Sequence, residues 1–212
     1  MVIISMMDLI TFFSGIGATL VGIGVTIVIT ERGESRRLKQ KNEKCLSSFY
    51  TELSDLRARS HEDLKMYREA YFRIKKLNDK MVSESSVPGI SISRPPVLKF
   101  LNTVLDNCFY LLSYEQREAT RSLIYVCSAL EKRRELIDAS IDPENLSSLD
   151  ASDFKYCISS LCVIYHLTSS MVEEKDRFNG IDKESDELME DVLSSLKLTI
   201  EFQDLVDHKI TI

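Results

Sequence analysis

GIGATLVGIGVTIV, residues 15–28, is one seven-residue phrase written twice. GIGATLV is followed directly by GIGVTIV, with Gly, Ile, Gly, Thr and Val returning to the same slots. A dinucleotide-binding fingerprint needs G-x-G-x-x-G between a strand and a helix. Here the third glycine comes too late, no strand precedes it and no Walker lysine follows. On a helix, a seven-residue repeat returns to nearly the same face. Gly15, Ala18, Thr19, Gly22 and Thr26 then share one small-residue stripe, extended backwards by Thr11 and Ser14. Small residues let transmembrane backbones approach closely, and threonine hydroxyls hydrogen-bond within or across helices. The repeat predicts a packing seam that draws copies of the chain into a homo-oligomer.

The surrounding sequence supplies the membrane helix that this seam requires. Leu9 to Thr30 is a run of 22 residues without a charge, and 12 of them are Leu, Ile, Val or Phe. As a helix it spans roughly 33 Å against a hydrocarbon core of about 30 Å. A cleaved signal peptide fits poorly, because no basic region precedes the run and no A-x-A-like site follows it. Asp8 sits at the outer end, within reach of headgroups and water. Beyond the run come Arg32, Arg36, Arg37, Lys39, Lys41 and Lys44, six bases against Glu31, Glu34 and Glu43. Basic flanks stay on the cytoplasmic side. The expectation is a single-pass protein of the cell (inner) membrane, amino terminus outside and the rest in the cytoplasm. Residues 1–30 form the anchor, 31–44 a basic collar and 45–212 a helical domain.

Composition sets the class of that domain. The chain has seven glycines and four prolines in 212 residues, and four of the glycines lie in the quoted stretch. Few turn residues mean long elements, and long elements mean helices. From Ser35 to about Val82 the apolar positions step by three and four: Leu46, Phe49, Leu53, Leu56, then Ser60 and Asp63, then Tyr67, Ala70, Ile74, Leu77 and Met81. That is a heptad seam with a polar break, and it serves either a self-paired coiled coil or the first helix of a bundle. Leu64 and Tyr71 widen the stripe, which favours a bundle. SESSVPGISISRPP is a loop, followed by a strongly apolar helix that begins at Pro95 or Pro96, carries apolar residues from Val97 to Leu112 and is expected at the centre of the core. Ser113 to Gln116 has capping-box spacing before a helix from Tyr114 to about Ser140, with Ala119, Leu123, Val126, Cys127, Leu130 and Ile137 as its core face. A helix from about Leu149 to Asn179, stopped by Gly180, and one from about Lys183 to His208 complete the pattern. The fold class is all-α: one transmembrane helix followed by a cytoplasmic bundle of four or five helices, the first long and heptad-patterned.

No constellation for chemistry emerges. His61, His166 and His208 lie outside any H-E-x-x-H or Cys/His zinc spacing, and neither a nucleophile elbow nor a kinase motif is present. Catalytic residues, cofactors and metal ligands are therefore all read as none. Five cysteines, Cys45, Cys108, Cys127, Cys157 and Cys162, show no C-x-x-C pair and sit among apolar residues, as buried free thiols of a reducing compartment do. The part beyond Cys45 carries 21 bases and 29 acids, a poor match for nucleic acid. The acids Asp182, Glu184, Asp186, Glu187, Glu190 and Asp191 suit the start of a helix, where the dipole favours negative charge. EKRREL, with Lys132, Arg133 and Arg134, reads as a solvated helix face, and the tyrosines as partly buried wall residues.

The organisation is similar to that of small bacterial single-pass proteins with cytoplasmic helical domains, some of which are membrane effectors in phage defence. The likeness is one of architecture, which does not fix function. Two classes of function are expected. The first is a non-enzymatic interaction or signalling protein that oligomerises through its membrane seam and binds an as yet unknown protein partner with its cytoplasmic domain. The second is a membrane-perturbing effector of a bacterial defence or toxin system, in which Thr11, Thr19 and Thr26 of assembled seams line a leak.

Overall fold

A computed structural model describes the backbone of residues 6–79, 105, 107–141, 149–181 and 183–198, with side chains from residue 32 onward. Among these residues all regular structure is helical. The helices whose bounds are described are α1 (Met6–Asn78), α2 (Tyr114–Ser140), α3 (Ala151–Glu174) and α4 (Ser185–Ser195), with 3₁₀ turns at Phe109–Leu111 and Lys175–Arg177; Leu105, Asn107 and Cys108 are helical too. The chain divides into two compact units, Met1–Cys45 and Leu46–Ile212.

In the first unit the backbone is helical from Met6, and it does not break near residue 31, where the sequence reading ends one helix and starts another. Gly33 is the weak point, but a glycine costs a helix only about 1 kcal/mol relative to alanine. Among the described residues no helix is long and apolar enough to cross a membrane. The run Leu9–Thr30 is helical in its backbone, and its side chains lie outside the described residues.

The second unit is built around α3. Every residue from Cys157 to Ile164 is buried, eight in succession, which covers more than two full turns of helix. A helix apolar all round has to be enclosed by others. The second half of α1 runs antiparallel to it, with Arg57 3.1 Å from Glu173 and the Tyr67 ring 6.4 Å from that of Phe154. At the far end of this pair, Asn78 Nδ2 donates to the Leu149 carbonyl at 3.3 Å. α2 and α4 also pack on α3. Of the apolar helix expected over 97–112, Leu105, Cys108 and Leu112 are buried, and residues 80–104 lie outside the described residues. Among the described helices, the central place belongs to α3.

The heptad stripe of α1 is buried inside this bundle from Phe49 to Leu77, while Leu46 is half-buried and Met81 lies outside the described residues. Phe49, Leu53, Leu56, Tyr67, Ala70, Ile74 and Leu77 are all in the core, as are Leu64 and Tyr71. The polar break is buried too: Ser60 and Asp63 are at most 3 % exposed, and Ser60 Oγ turns back to donate to the Leu56 carbonyl at 2.8 Å.

α2 begins where its capping box requires. Ser113 Oγ accepts from Gln116 N at 3.2 Å, and Gln116 Oε1 accepts from Ser113 N at 2.9 Å. Its predicted core face, Ala119, Leu123, Val126, Cys127, Leu130 and Ile137, is buried throughout. The Gln116 amide does a second job. Its Nε2 donates to the Tyr50 hydroxyl and to the Lys175 carbonyl, both at 2.9 Å, so one buried side chain ties α1, the start of α2 and the end of α3.

The last two helices are shorter than their patterns predict. α3 stops at Glu174 because Lys175 turns to φ 49° and starts a 3₁₀ turn; Gly180, at φ 89°, closes the loop beyond rather than the helix. α4 ends in a Schellman motif, with Lys197 at φ 55° donating to the Ser194 carbonyl and Leu198 N donating to that of Leu193. Ile200, Leu205 and His208, assigned to this helix from the sequence, lie outside the described residues.

Ser113→Ala removes half of the capping box and should lower stability by about 1 kcal/mol. Gln116→Met also breaks the ties to Tyr50 and Lys175 and should cost about 2–3 kcal/mol. Denaturant titrations followed by circular dichroism measure both. Equal small losses would show that the amide does not clasp the three helices.

Candidate functional site

Successive residues on a helix turn by about 100°, so the three bases of EKRREL meet three environments. Arg134 turns inward; its Nη2 donates to Asp138 Oδ2 at 2.7 Å, one turn on, and its side chain is only 17 % exposed. Arg133 leans across to α3, where Nη1 donates to Asp153 Oδ1 at 2.7 Å and the guanidinium lies 4.9 Å from the Tyr156 ring centroid. Lys132 points to solvent and has no ion pair among the described residues. The cluster is therefore one half-buried ion pair within α2, one interhelical strut and, among the described residues, one cation without an ion pair, rather than a uniformly solvated face.

Around the strut lies a groove of about 310 Å³, lined by Tyr125, Ser128, Ala129, Lys132, Arg133 and Leu136 of α2 and by Tyr156 of α3. Its margins are unusual for a surface: Tyr125 is 69 % exposed and Leu136 59 %. The site combines an aromatic wall, an aliphatic anchor point and a cation, with no group poised to break a bond. Such a surface recognises side chains by apolar contact and charge.

The other candidates have structural roles. All five cysteines are free, and four are buried. Burial pushes the thiols of Cys127 and Cys157 up to about 12, with Arg133 and a hydrogen bond from Tyr67 opposing the shift at Cys157. Cys162 is raised by burial as well. Burial also raises the Tyr67 phenol, first, with Cys157 and Asp63 adding to it. These groups stay protonated and are weak nucleophiles. His61 is half-buried, its ring 6.3 Å from that of Tyr165, and His166 is half-buried on α3; His208 lies outside the described residues. Among the described residues, no three of His, Cys, Asp and Glu gather as metal ligands do. At the start of α4 the dipole is met by Asp186 and Glu187, and Asp191 pairs with Lys183.

The sequence-predicted membrane residues fall in the first unit. Thr11, Ser14, Gly15, Ala18, Thr19, Gly22 and Thr26 lie on the helical backbone of α1, and their side chains are outside the described residues. Arg32, Arg36, Arg37, Lys39, Lys41 and Lys44 are all exposed, with Lys39 4.0 Å from Glu43 one turn on. Leu38, among them, is 60 % exposed.

The tyrosines separate sharply. Tyr67 and Tyr71 are buried, whereas Tyr110, Tyr114 and Tyr125 stand out into solvent. The sequence pattern alone assigns all of them to partly buried walls. A helical wheel for 114–140 separates them, because Tyr125 and Leu136 lie opposite the core face. Comparison of the chain with protein-family models, with curated proteins and with solved structures finds no match.

The raised thiols carry a pH dependence. Cys127 and Cys157 ionise at about 12 in the folded chain and at about 8.5 when unfolded. Between those values the folded chain binds more protons than the unfolded one. Their stabilising contribution is complete below about 8.5 and is lost as the pH rises towards 12. Denaturation midpoints from pH 7 to 10.5 should fall less steeply for Cys127→Ala with Cys157→Ala than for the parent. Identical slopes would mean that neither thiol is held protonated.

Proposed function

We propose that the protein is a membrane-anchored, non-enzymatic interaction or signalling protein. It is held in the cell membrane by Leu9–Thr30, with its amino terminus outside, and it associates through the small-residue seam from Thr11 to Thr26. Its helical bundle stays in the cytoplasm and docks a protein on the outer face of α2. The anchor is supported by an uncharged helical run of membrane-spanning length and by the basic collar that follows it. The non-enzymatic reading is supported by the buried cysteines and Tyr67, which are held protonated in the core, and by the ion-paired Arg133 and Arg134.

The observation that carries the docking part is the groove beside Arg133. Exposed large apolar side chains cost solubility unless something covers them. Tyr125 and Leu136 flank Lys132, exposed and without an ion pair among the described residues, so a covering protein gains apolar contact and charge together.

Alkaline carbonate extraction should leave the full-length chain in the membrane pellet. Recovery in the supernatant would remove the anchor. Gly15→Leu with Gly22→Leu should lower the mass of the detergent-solubilised protein, and an unchanged mass would remove the seam. For the docking face, Leu136→Cys should react with a maleimide several-fold more slowly in native membranes than in dilute purified protein. Equal rates would mean that nothing covers the groove.

A further inference from the structure

The groove occupies half of a longer feature. Tyr114, Tyr125 and Leu136 are spaced by eleven residues each, and they are three of the five large apolar side chains that stand exposed in the described structure. Eleven residues make three turns to within about 20°, so the three lie in one row about 33 Å long on the face of α2 opposite the core. Filling in the row gives Tyr114, Glu118, Arg121, Tyr125, Ala129, Lys132 and Leu136, none of them buried. The steps are 4, 3, 4 and then 4, 3, 4. The spacing is palindromic about Tyr125.

A palindromic row is self-complementary when two copies lie antiparallel, because each position then faces the one equally far from the centre. Tyr125 faces Tyr125 of the second copy, and Tyr114 faces Leu136. Glu118, which pairs with Arg121 of its own helix, faces Lys132, opposite charges, and Arg121 faces Ala129, long against small. The two bases that would face each other, Arg117 and Arg133, lie well off the centre of the row. Both are held elsewhere, Arg117 against the Phe109 ring at 5.9 Å and Arg133 by Asp153 and Tyr156. The groove lies between Tyr125 and Leu136, so it receives Tyr114 and Glu118 of the other copy. An aromatic ring and a carboxylate are what its apolar margins and Lys132 call for.

We infer that the occupant of the α2 face is a second copy of this chain, docked antiparallel about a twofold axis at Tyr125, which gives the protein a self-contact in its helical domain besides the membrane seam. The inference rests on the reading of this face as a docking surface and names its occupant. The row lies outside the core, so exchanges along it leave the bundle folded, and circular dichroism of each variant checks this.

The test uses the full-length chain carrying Cys45→Ser, since the other cysteines are buried, and a short bismaleimide. Tyr125→Cys should cross-link to itself. Tyr114→Cys and Leu136→Cys should each fail to cross-link alone and should join when co-expressed. In addition, Glu118→Lys and Lys132→Glu should each reduce the Tyr125→Cys cross-link several-fold, and the double exchange should restore it. Cross-linking of Tyr114→Cys and of Leu136→Cys each to itself would show a parallel pair and overturn the arrangement. No cross-link at Tyr125→Cys, with Leu136→Cys still protected in membranes, would leave the docking surface standing and give it to a different protein. No cross-link and no protection would remove both.

Discussion

The described bundle depends on one constraint, the burial of α3 on all sides. Most surface helices present an apolar stripe to the core and a polar face to water. α3 has eight consecutive buried residues in its middle, so it is stable only when other helices cover it from every direction. Its isolated helix would gain little, because packing rather than propensity supplies most helical stability in proteins. α1, α2 and α4 are thus placed by what α3 needs.

This constraint explains the polar groups found inside. Ser159 and Ser160 are buried on α3 with hydroxyls that have no hydrogen-bond partner among the described residues, at a typical cost of about 1–3 kcal/mol each. Small side chains at a crowded helix are compatible with close approach of its neighbours, and that packing offsets the loss. Thr168 instead returns its hydroxyl proton to the Ile164 carbonyl at 2.7 Å. Gln116 makes the opposite choice: both of its amide hydrogens and its carbonyl oxygen are engaged, tying three helices. The polar break in the heptad of α1, Ser60 and Asp63, lies in the same interior. The outer face of α2 is free to carry exposed aromatics because the inner face alone satisfies α3.

How far this could be read from the sequence varied with the physics of each element. The heptad stripe of α1 and the core face and cap of α2 were legible, since periodicity and the Ser113–Gln116 spacing are local signals. Helix ends were less so. α3 and α4 stop at Lys175 and Lys197, non-glycine residues at positive φ, where nothing in composition marks a turn. The central place of α3 was missed because Cys, Ser and His in ISSLCVIYH dilute its hydropathy, while the run over 97–112 looks more apolar. In the candidate site, EKRREL was seen but read as one surface. Its division into three roles depends on Asp153 and Tyr156, twenty and more residues away in sequence. The row of Tyr114, Tyr125 and Leu136 was legible in principle, as an eleven-residue repeat on the face opposite an already recognised core stripe.

Amide hydrogen exchange of the native protein tests the central claim most directly. If α3 is the enclosed element on which the others depend, the amides from Cys157 to Ile164 should be the slowest in the chain and should exchange only through global unfolding, while those of α4 exchange earlier through local opening. Exchange in α3 as fast as in α4, or slowest exchange confined to α2, would contradict the account.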